Sequence, residues 1–381
     1  MKAGMFLVIS IFLSLYGGMH YYIYRKTIAA VPCSHGLLLC AFGLLLVAPL
    51  AAELLKGIGL SRLALPIGWV GYTWMGLAFL FFSFSGLLDL AVFALKTGGK
   101  LVGADVASLP MLSPLWSFLL PAVLALAATG HGLVSARQVK VEWVRIQTGK
   151  LAEKSEPFRI VQISDLHLDL WSDEGRVRRI VETIESIRPD VVVSTGDLID
   201  AGPDRLAGFA DRLRGLKPEH GKFAVTGNHE AYVGPAKSLA VTERAGFKML
   251  SYQGVSVDGV IHIVGVDDPA VRRRITMDGR AEKAVLQRIP KDDFTVLLKH
   301  QPRVDRASVE WFDLQLSGHT HGGQIFPFHW LVRLAYPART GLSKVGDETW
   351  LYVSRGTGTW GPPIRFLAPS ELTVIELQPA P

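Results

Sequence analysis

Cysteine is nearly absent: 381 residues carry two, Cys33 and Cys40. Two thiols can build neither a disulfide framework nor a thiolate zinc site. Both lie beside or within an apolar run, where they read as small embedded residues. Charge is scarce as well. Charged side chains make up 19% of the chain and hydrophobic ones 49%, too apolar for one ordinary soluble domain. Also missing are a Walker phosphate loop, a dinucleotide glycine fingerprint and a nucleophilic Ser or Cys signature. Those absences exclude P-loop, Rossmann-type and acyl-enzyme chemistries.

The charge that is present has little net sign. Of the formal +6, the first 136 residues contribute seven Lys/Arg against three Asp/Glu, and the remainder 33 against 31. A C-terminal portion so close to neutral is not the footprint of a nucleic-acid binder, so no nucleic-acid partner is expected. The sequence carries no mark of an oligomeric state.

The apolar excess falls in four runs, roughly Gly4–Tyr24, Gly36–Leu55, Ile67–Leu88 and Leu112–Val134. Each has about the 20 residues a helix needs to cross a hydrocarbon core, and only helices satisfy their own backbone there. A cleaved signal peptide would account for the first run alone. The expectation is an all-α transmembrane bundle of four helices over residues 1–136. Tyr16, Tyr21, Tyr22, Tyr24, Trp69, Trp74 and Trp116 suit interfacial belts, and Glu53 and Asp89 lie near span ends. Four spans place both termini on one side. That side carries Lys2, Lys56, Arg62, Arg137, Lys140 and Arg145, against Arg25, Lys26, Lys96 and Lys100 on the other. Six basic residues against four favour a cytoplasmic catalytic domain in an inner membrane. Residues 137–157 read as a polar, basic linker.

From residue 158 the pattern changes to short apolar runs that stop at polar motifs. Phe158–Ser164 reads as a buried strand ending at Asp165, Asp190–Ser194 as one ending at Gly196-Asp197, and Lys222–Val225 as one ending at Gly227-Asn228-His229. Between the first two, Val177–Ile187 has helical spacing. Strand, helix, strand argues for an α/β sheet, with polar residues at strand carboxyl ends, where such sheets place their sites. Further strands are expected at Val260–Val266, Thr295–Lys299, Leu314–Leu316, Thr349–Val353 and Leu372–Leu377. The expected domain over 158–381 has two facing mixed sheets flanked by helices.

The polar motifs are Asp165-Leu166-His167, Gly196-Asp197, Gly227-Asn228-His229-Glu230, the isolated His300, and Gly318-His319-Thr320-His321-Gly322-Gly323-Gln324. Carboxylate, imidazole and amide without thiolate is the donor mix that hard-to-borderline divalent metals choose. A lone histidine is more often a hydrogen-bonded structural imidazole; five segments converging on one chemistry point to metal. His319 and His321 would share one face of a regular strand, but their glycine-flanked loop is expected to splay them. Gly322 and Gly323 allow close backbone approach.

In this order the motifs resemble the calcineurin-like metallophosphoesterase superfamily, over about Phe158 to Leu377. The wider phrases Gly318–Gln324 and Ser354–Phe366 are similar to its bacterial membrane-associated subgroup. The resemblance implies a binuclear phosphohydrolase with two divalent metal ions, manganese foremost and iron or zinc also fitting. Asp165, His167 and His321 would hold the first metal, Asn228, His300 and His319 the second, and Asp197 would bridge them. His229 would be the catalytic residue rather than a ligand. Asn228, His229 and Arg355 would contact substrate. Glu230 or Asp200 could orient ligands from behind. Arg365, the basic run Arg272–Arg274, and an apolar lip from Phe326, Phe328 and Trp330 are further candidates for contact with phosphate or membrane. The expected partners are membrane lipids or a lipid-linked phosphate substrate, with UDP-2,3-diacylglucosamine of lipid A synthesis one concrete candidate. A generic phosphodiesterase or phosphomonoesterase and a non-catalytic membrane scaffold are the competing readings.

Overall fold

The computed structural model describes residues 2–102, 112–152, 156–272 and 281–380. The chain divides into two units. One comprises Met1–Val134 with Gly361–Phe366, the other Ser135–Trp360 with Leu367–Pro381.

The first unit is helical: α1 (Lys2–Ala30), α2 (His35–Gly57), α3 (Ser61–Leu101) and α4 (Pro114–Arg137). Among the described residues, α2, α3 and α4 are long and apolar enough to cross a membrane. At 41 residues α3 is about 61 Å long, roughly twice a hydrocarbon core. It runs past the expected end at Leu88 because no proline follows within it and the next glycines are Gly98 and Gly99. Several polar groups of the unit are paired. Lys26 and the Tyr22 hydroxyl both reach Asp89 at 2.6 Å. Lys56 meets Glu53 at 2.6 Å, and the Tyr72 hydroxyl donates to the same carboxylate. Trp74 does not act as a belt residue alone, since its indole N–H donates to His20 Nε2 at 2.8 Å. The hexapeptide Gly361–Phe366 packs among these helices: the Arg365 amide donates to the Gly132 carbonyl, and a Cβ at Gly132 would lie 2.4 Å from Ile364.

The second unit contains β1 (Val139–Thr148), β2 (Phe158–Ile163), α5 (Glu174–Ile187), β3 (Val191–Ser194), α6 (Pro203–Gly215), β4 (Lys222–Ala224), α7 (Asn228–Val233), α8 (Pro235–Arg244), β5 (Lys248–Met249), β6 (Gln253–Val257), β7 (Ile261–Gly265), α9 (Pro269–Arg272), α10 (Ala281–Leu286), β8 (Phe294–Leu298), β9 (Leu314–Ser317), α11 (His329–Ala335), β10 (Gly341–Lys344), β11 (Trp350–Val353) and β12 (Ser370–Pro379). Two six-stranded mixed sheets result, ordered β1-β12-β2-β3-β4-β5 and β10-β11-β9-β8-β7-β6. Strands β2 to β5 run parallel, as do β7, β8, β9 and β11.

Period-2 alternation assigns each side chain to a layer. Ile160, Val191, Val193 and Phe223 of the first sheet and Ile263, Val296, Leu298, Leu314 and Leu316 of the second form one core between the sheets. The opposite faces, through Val161, Ile163 and Val192, pack on α5, α6 and α8, and through Val264 and Leu297 on α10. Every strand expected from residue 158 onward is present. The expected linker is not one: residues 139–148 form β1, which pairs in parallel with β12 over ten residues. Its lysine, glutamate and arginine residues, spread over both faces, disguise it as a polar connector, as an edge strand's do.

Ile263 is fully buried in the intersheet core. Replacing it with Ala is expected to cost about 2–5 kcal/mol of unfolding free energy and with Val about 0.5–1.5, read by denaturant titration of the purified chain.

Candidate metal centre

The motifs stand at the carboxyl ends of parallel strands: Asp165 and His167 after β2, Asp197 after β3, Asn228 and His229 at the start of α7 after β4, His300 after β8, and His319 and His321 after β9. Two sheets whose strand ends point the same way therefore deliver all five segments to one place. The backbone bends sharply to do so. Asp165, His167, Asp197, His319 and His321 have φ between 48° and 70°, the left-handed region that non-glycine residues rarely occupy. Hydrogen bonds fix these bends: the Asp165 amide donates to the Gly196 carbonyl and the His167 amide to the Asp197 carbonyl, each at 3.0 Å. Gly318 allows the third loop to close in, since a Cβ there would lie 1.9 Å from Ser164 Oγ and 2.1 Å from Asp165 Oδ2.

Two clusters of potential ligands meet at one aspartate. Asp165, His167 and His321 form the first; His167 Nε2 and His321 Nε2 are 3.0 Å apart, and Asp165 Oδ1 is 3.6 Å from the latter. Asp197, His300 and His319 form the second. His300 Nε2 lies 3.1 Å from Asp197 Oδ2, 3.1 Å from His319 Nδ1 and 3.2 Å from Asn228 Oδ1. Asp197 Oδ2 is also 3.8 Å from His167 Nε2, so one carboxylate faces both clusters.

Tautomers decide what these atoms can do. His300 Nδ1 lies 2.8 Å from the Thr195 carbonyl, which can only accept, so Nδ1 carries the proton. In the neutral ring Nε2 then presents a lone pair to the second cluster. Likewise the Asp200 carboxylate, 3.0 Å from His167 Nδ1, leaves Nε2 of that ring free as a donor atom. The Tyr336 hydroxyl sits 2.7 Å from His319 Nε2 and donates to Gln301 Oε1; His319 Nε2–H therefore donates to Tyr336 and Nδ1 faces inward. Lone pairs about 3 Å apart repel, and ligands at right angles around an ion at about 2.1 Å have that spacing. The donor set thus fits a pair of divalent cations.

His229 belongs to a further candidate group, with His167 and Asp197, that overlaps the first two. Its Nδ1 is 2.8 Å from Asp200 Oδ1, its Nε2 4.0 Å from Asp197 Oδ2, and its side chain is 15% exposed. Asp200 therefore orients both His167 and His229. Glu230, fully buried, accepts from the amides of Gly227, Asp197, Leu198 and Ile199 at 2.7 to 3.4 Å. The exposed rings of Tyr232 and Trp360 lie 5.3 and 6.0 Å from the His229 ring.

The remaining candidates are placed differently. The Arg355 guanidinium is committed to Glu142 and, at 2.7 Å, to Glu371, and also donates to the Pro369 carbonyl. Its side chain lies against Gly322 of the metal loop. Arg365 is fully buried. Arg272–Arg274 fall outside the residues whose side chains are described. Of the apolar lip, Phe328 and Trp330 are exposed, while Phe326 stacks on His329. Sequence reasoning does not single out Tyr336 or Trp360; the only local signal is an aromatic residue flanked by proline or glycine, too common to select.

Electrostatics follow from the geometry. Burial opposes charge on His167 and His300, but the carboxylates of Asp200, Asp197 and Asp165 outweigh it. His167 is raised to about 9, and Asp197 above all raises His300 to about 10. Burial and the neighbouring His300 cation lower His319 to about 3. Burial works against ionised Asp197, yet His300, His229 and His167 hold it well below the usual carboxylate range. In the ion-free protein, protonated His167 and His300 contribute stability that is full below their ordinary value of 6.5 and lost as pH rises through about 9 and 10. The chelated protein is expected to melt at lower temperature at high than at neutral pH. Mn2+ affinity is expected to rise over the same window, because ligation displaces those protons; calorimetry in two buffers reads the release.

Comparison with known proteins agrees with this arrangement. The model of the family described as calcineurin-like phosphoesterase matches residues 158–323. An uncharacterized metallophosphoesterase of Aquifex aeolicus (strain VF5) is 37% identical over 244 residues, 63% of this chain and 92% of the relative. A protein of the same description from Helicobacter pylori (strain ATCC 700392 / 26695) is 38% identical over 60% of this chain and 62% of its own. A transmembrane protein with metallophosphoesterase domain from Danio rerio is 34% identical over 287 residues, 72% of this chain and 65% of the relative. With the strand ends, the shared aspartate and these relatives in hand, the chain belongs to the calcineurin-like metallophosphoesterases, whose chemistry is metal-dependent hydrolysis of phosphoesters.

Proposed function

We propose that this protein is a membrane-anchored, binuclear-metal phosphohydrolase that cleaves a phosphoester or pyrophosphate bond in a lipid-linked substrate. The observation that carries the reading is the meeting of two lone-pair clusters at Asp197. Asp165, His167 and His321 would hold one ion, Asn228, His300 and His319 the other, with Asp197 between them. Manganese is the first choice for an O- and N-donor set without thiolate; iron and zinc also fit. Such a pair, when bound, polarises the phosphoryl oxygens and supplies a nucleophile at neutral pH.

The chain's own residues do the rest. His229, its Nδ1 held by Asp200, directs Nε2 toward the ligand cluster and can give a proton to the leaving oxygen or brace the phosphoryl group. The Asn228 amide, besides its place among the ligands, can contact the phosphoryl group. Asp200 keeps both rings in register. Tyr232 and Trp360 border His229 with exposed aromatic surface, which suits a substrate with apolar parts. Long apolar helices on the same chain raise the local concentration of bilayer-borne substrates. The basic-residue balance favours the cytoplasmic side for the catalytic unit, where a nucleotide-linked lipid such as UDP-2,3-diacylglucosamine would be met.

Purified full-length protein with Mn2+ is expected to release UMP from UDP-2,3-diacylglucosamine. Hydrolysis of bis-p-nitrophenyl phosphate without UMP release would instead assign a generic phosphodiesterase, the second reading. His229→Ala is expected to lower kcat by about 10²- to 10⁴-fold with metal content unchanged, whereas Asp197→Asn should lower both. Full turnover by His229→Ala would refute its role.

A further inference from the structure

The segment between the last metal motif and β10 has a surface the reaction does not use. In and beside α11, Phe328 is 43% exposed, Trp330 52%, Leu331 58% and Leu334 82%. Trp330, Leu331 and Leu334 follow the i, i+1, i+4 spacing of one helix face. The opposite side is seated on the metal loop: a Cβ at Gly323 would lie 2.4 Å from His329 Cα, and Phe326 stacks on the His329 ring. This face is therefore held rigidly against the loop that carries His319 and His321.

Its charge has one sign. From Leu314 to Gly346 the sequence has no Asp or Glu, and it carries Arg333, Arg339 and Lys344. Arg303 adds a fourth cation, its guanidinium 5.0 Å from the centre of the Tyr336 ring. Apolar side chains with a basic surround match the boundary between anionic headgroups and acyl chains. A second copy of the chain fits poorly: a seven-residue helix, about 10 Å long and about 10 Å across, offers a face of roughly 100 Å², far short of the roughly 800 Å² per partner that stable dimers bury.

We propose that α11 and its flanks are a docking surface for an anionic lipid bilayer. A few apolar side chains give only weak, reversible insertion to a free domain. Here a single residue, Gln138, separates α4 from β1, so insertion is an intramolecular event at high effective concentration. The surface ends at Tyr336, which caps α11 and whose hydroxyl sets the His319 tautomer. Docking thus happens one residue from a contact to the metal centre. The inference rests on the lipid-directed reading above, but its test involves no turnover and so fails separately.

Full-length protein with Cys33→Ser and Cys40→Ser is given one cysteine by Leu334→Cys, or, as control, by Glu310→Cys, which precedes β9 at the sheet end opposite the site. Each is labelled with an environment-sensitive fluorophore and placed in nanodiscs of phosphatidylglycerol and brominated phosphatidylcholine. The expected result is blue-shifted emission at 334, lost to bromine quenching, with solvent-like unquenched emission at 310. Emission at 334 matching the control overturns the proposal, as does a blue shift without quenching, which would mean a protein occupant. Equal quenching in discs lacking phosphatidylglycerol would overturn the anionic requirement.

Discussion

Four backbone amides converge on one buried carboxylate. Glu230 takes hydrogen bonds from Gly227, Asp197, Leu198 and Ile199, and so binds the loop after β3 to the loop after β4. With the His229 amide, which donates to Asp197 Oδ1 at 2.8 Å, it fixes the separation of Asp197 and Asn228. Burial and the nearby Asp197 push the Glu230 pKa up, and the amides, with the nearby His300, offset that by supplying the dipoles and charge a buried carboxylate needs. The same logic recurs at Asp200, which serves His167 and His229 at once. Asp165, His167, Asp197, His319 and His321 adopt strained backbone, a cost that persists only where surroundings over-determine it.

That over-determination comes from the sheets. The strands carrying Asp165, Asp197 and Asn228 are hydrogen-bonded neighbours in one sheet, and those carrying His300 and the paired histidines are neighbours in the other. Their shared core of Ile, Val, Leu and Phe sets the distance between the two halves of the site. Packing and the site are therefore linked: the approach of His300 to Asp197 holds as well as the intersheet layer does.

Much of this is legible in the residues. Buried parallel strands announce themselves as runs such as Val191–Ser194, and the polar residue ending each run marks a site position. The ligand motifs are readable because each donor type is needed at its place. What escapes has no local signature. Strand β1 carries charge on both faces and becomes a strand only by pairing with residues more than 200 positions away. Tyr336 reaches His319 through a loop and a short helix that nothing upstream specifies. The ion pair of Arg355 with Glu371 is equally silent in the sequence, because an arginine beside a metal motif reads the same whatever carboxylate it meets. The difference lies in tertiary contact alone.

The placement of β12 has a bearing on how the enzyme is made. Residues 370–379 sit between β1 and β2, so the first sheet has a gap until that segment has left the ribosome. The apolar helices of residues 35–137 can enter a bilayer during translation, while long-range pairing must wait. A nascent catalytic unit would spend that interval with an unfilled seam between two strands.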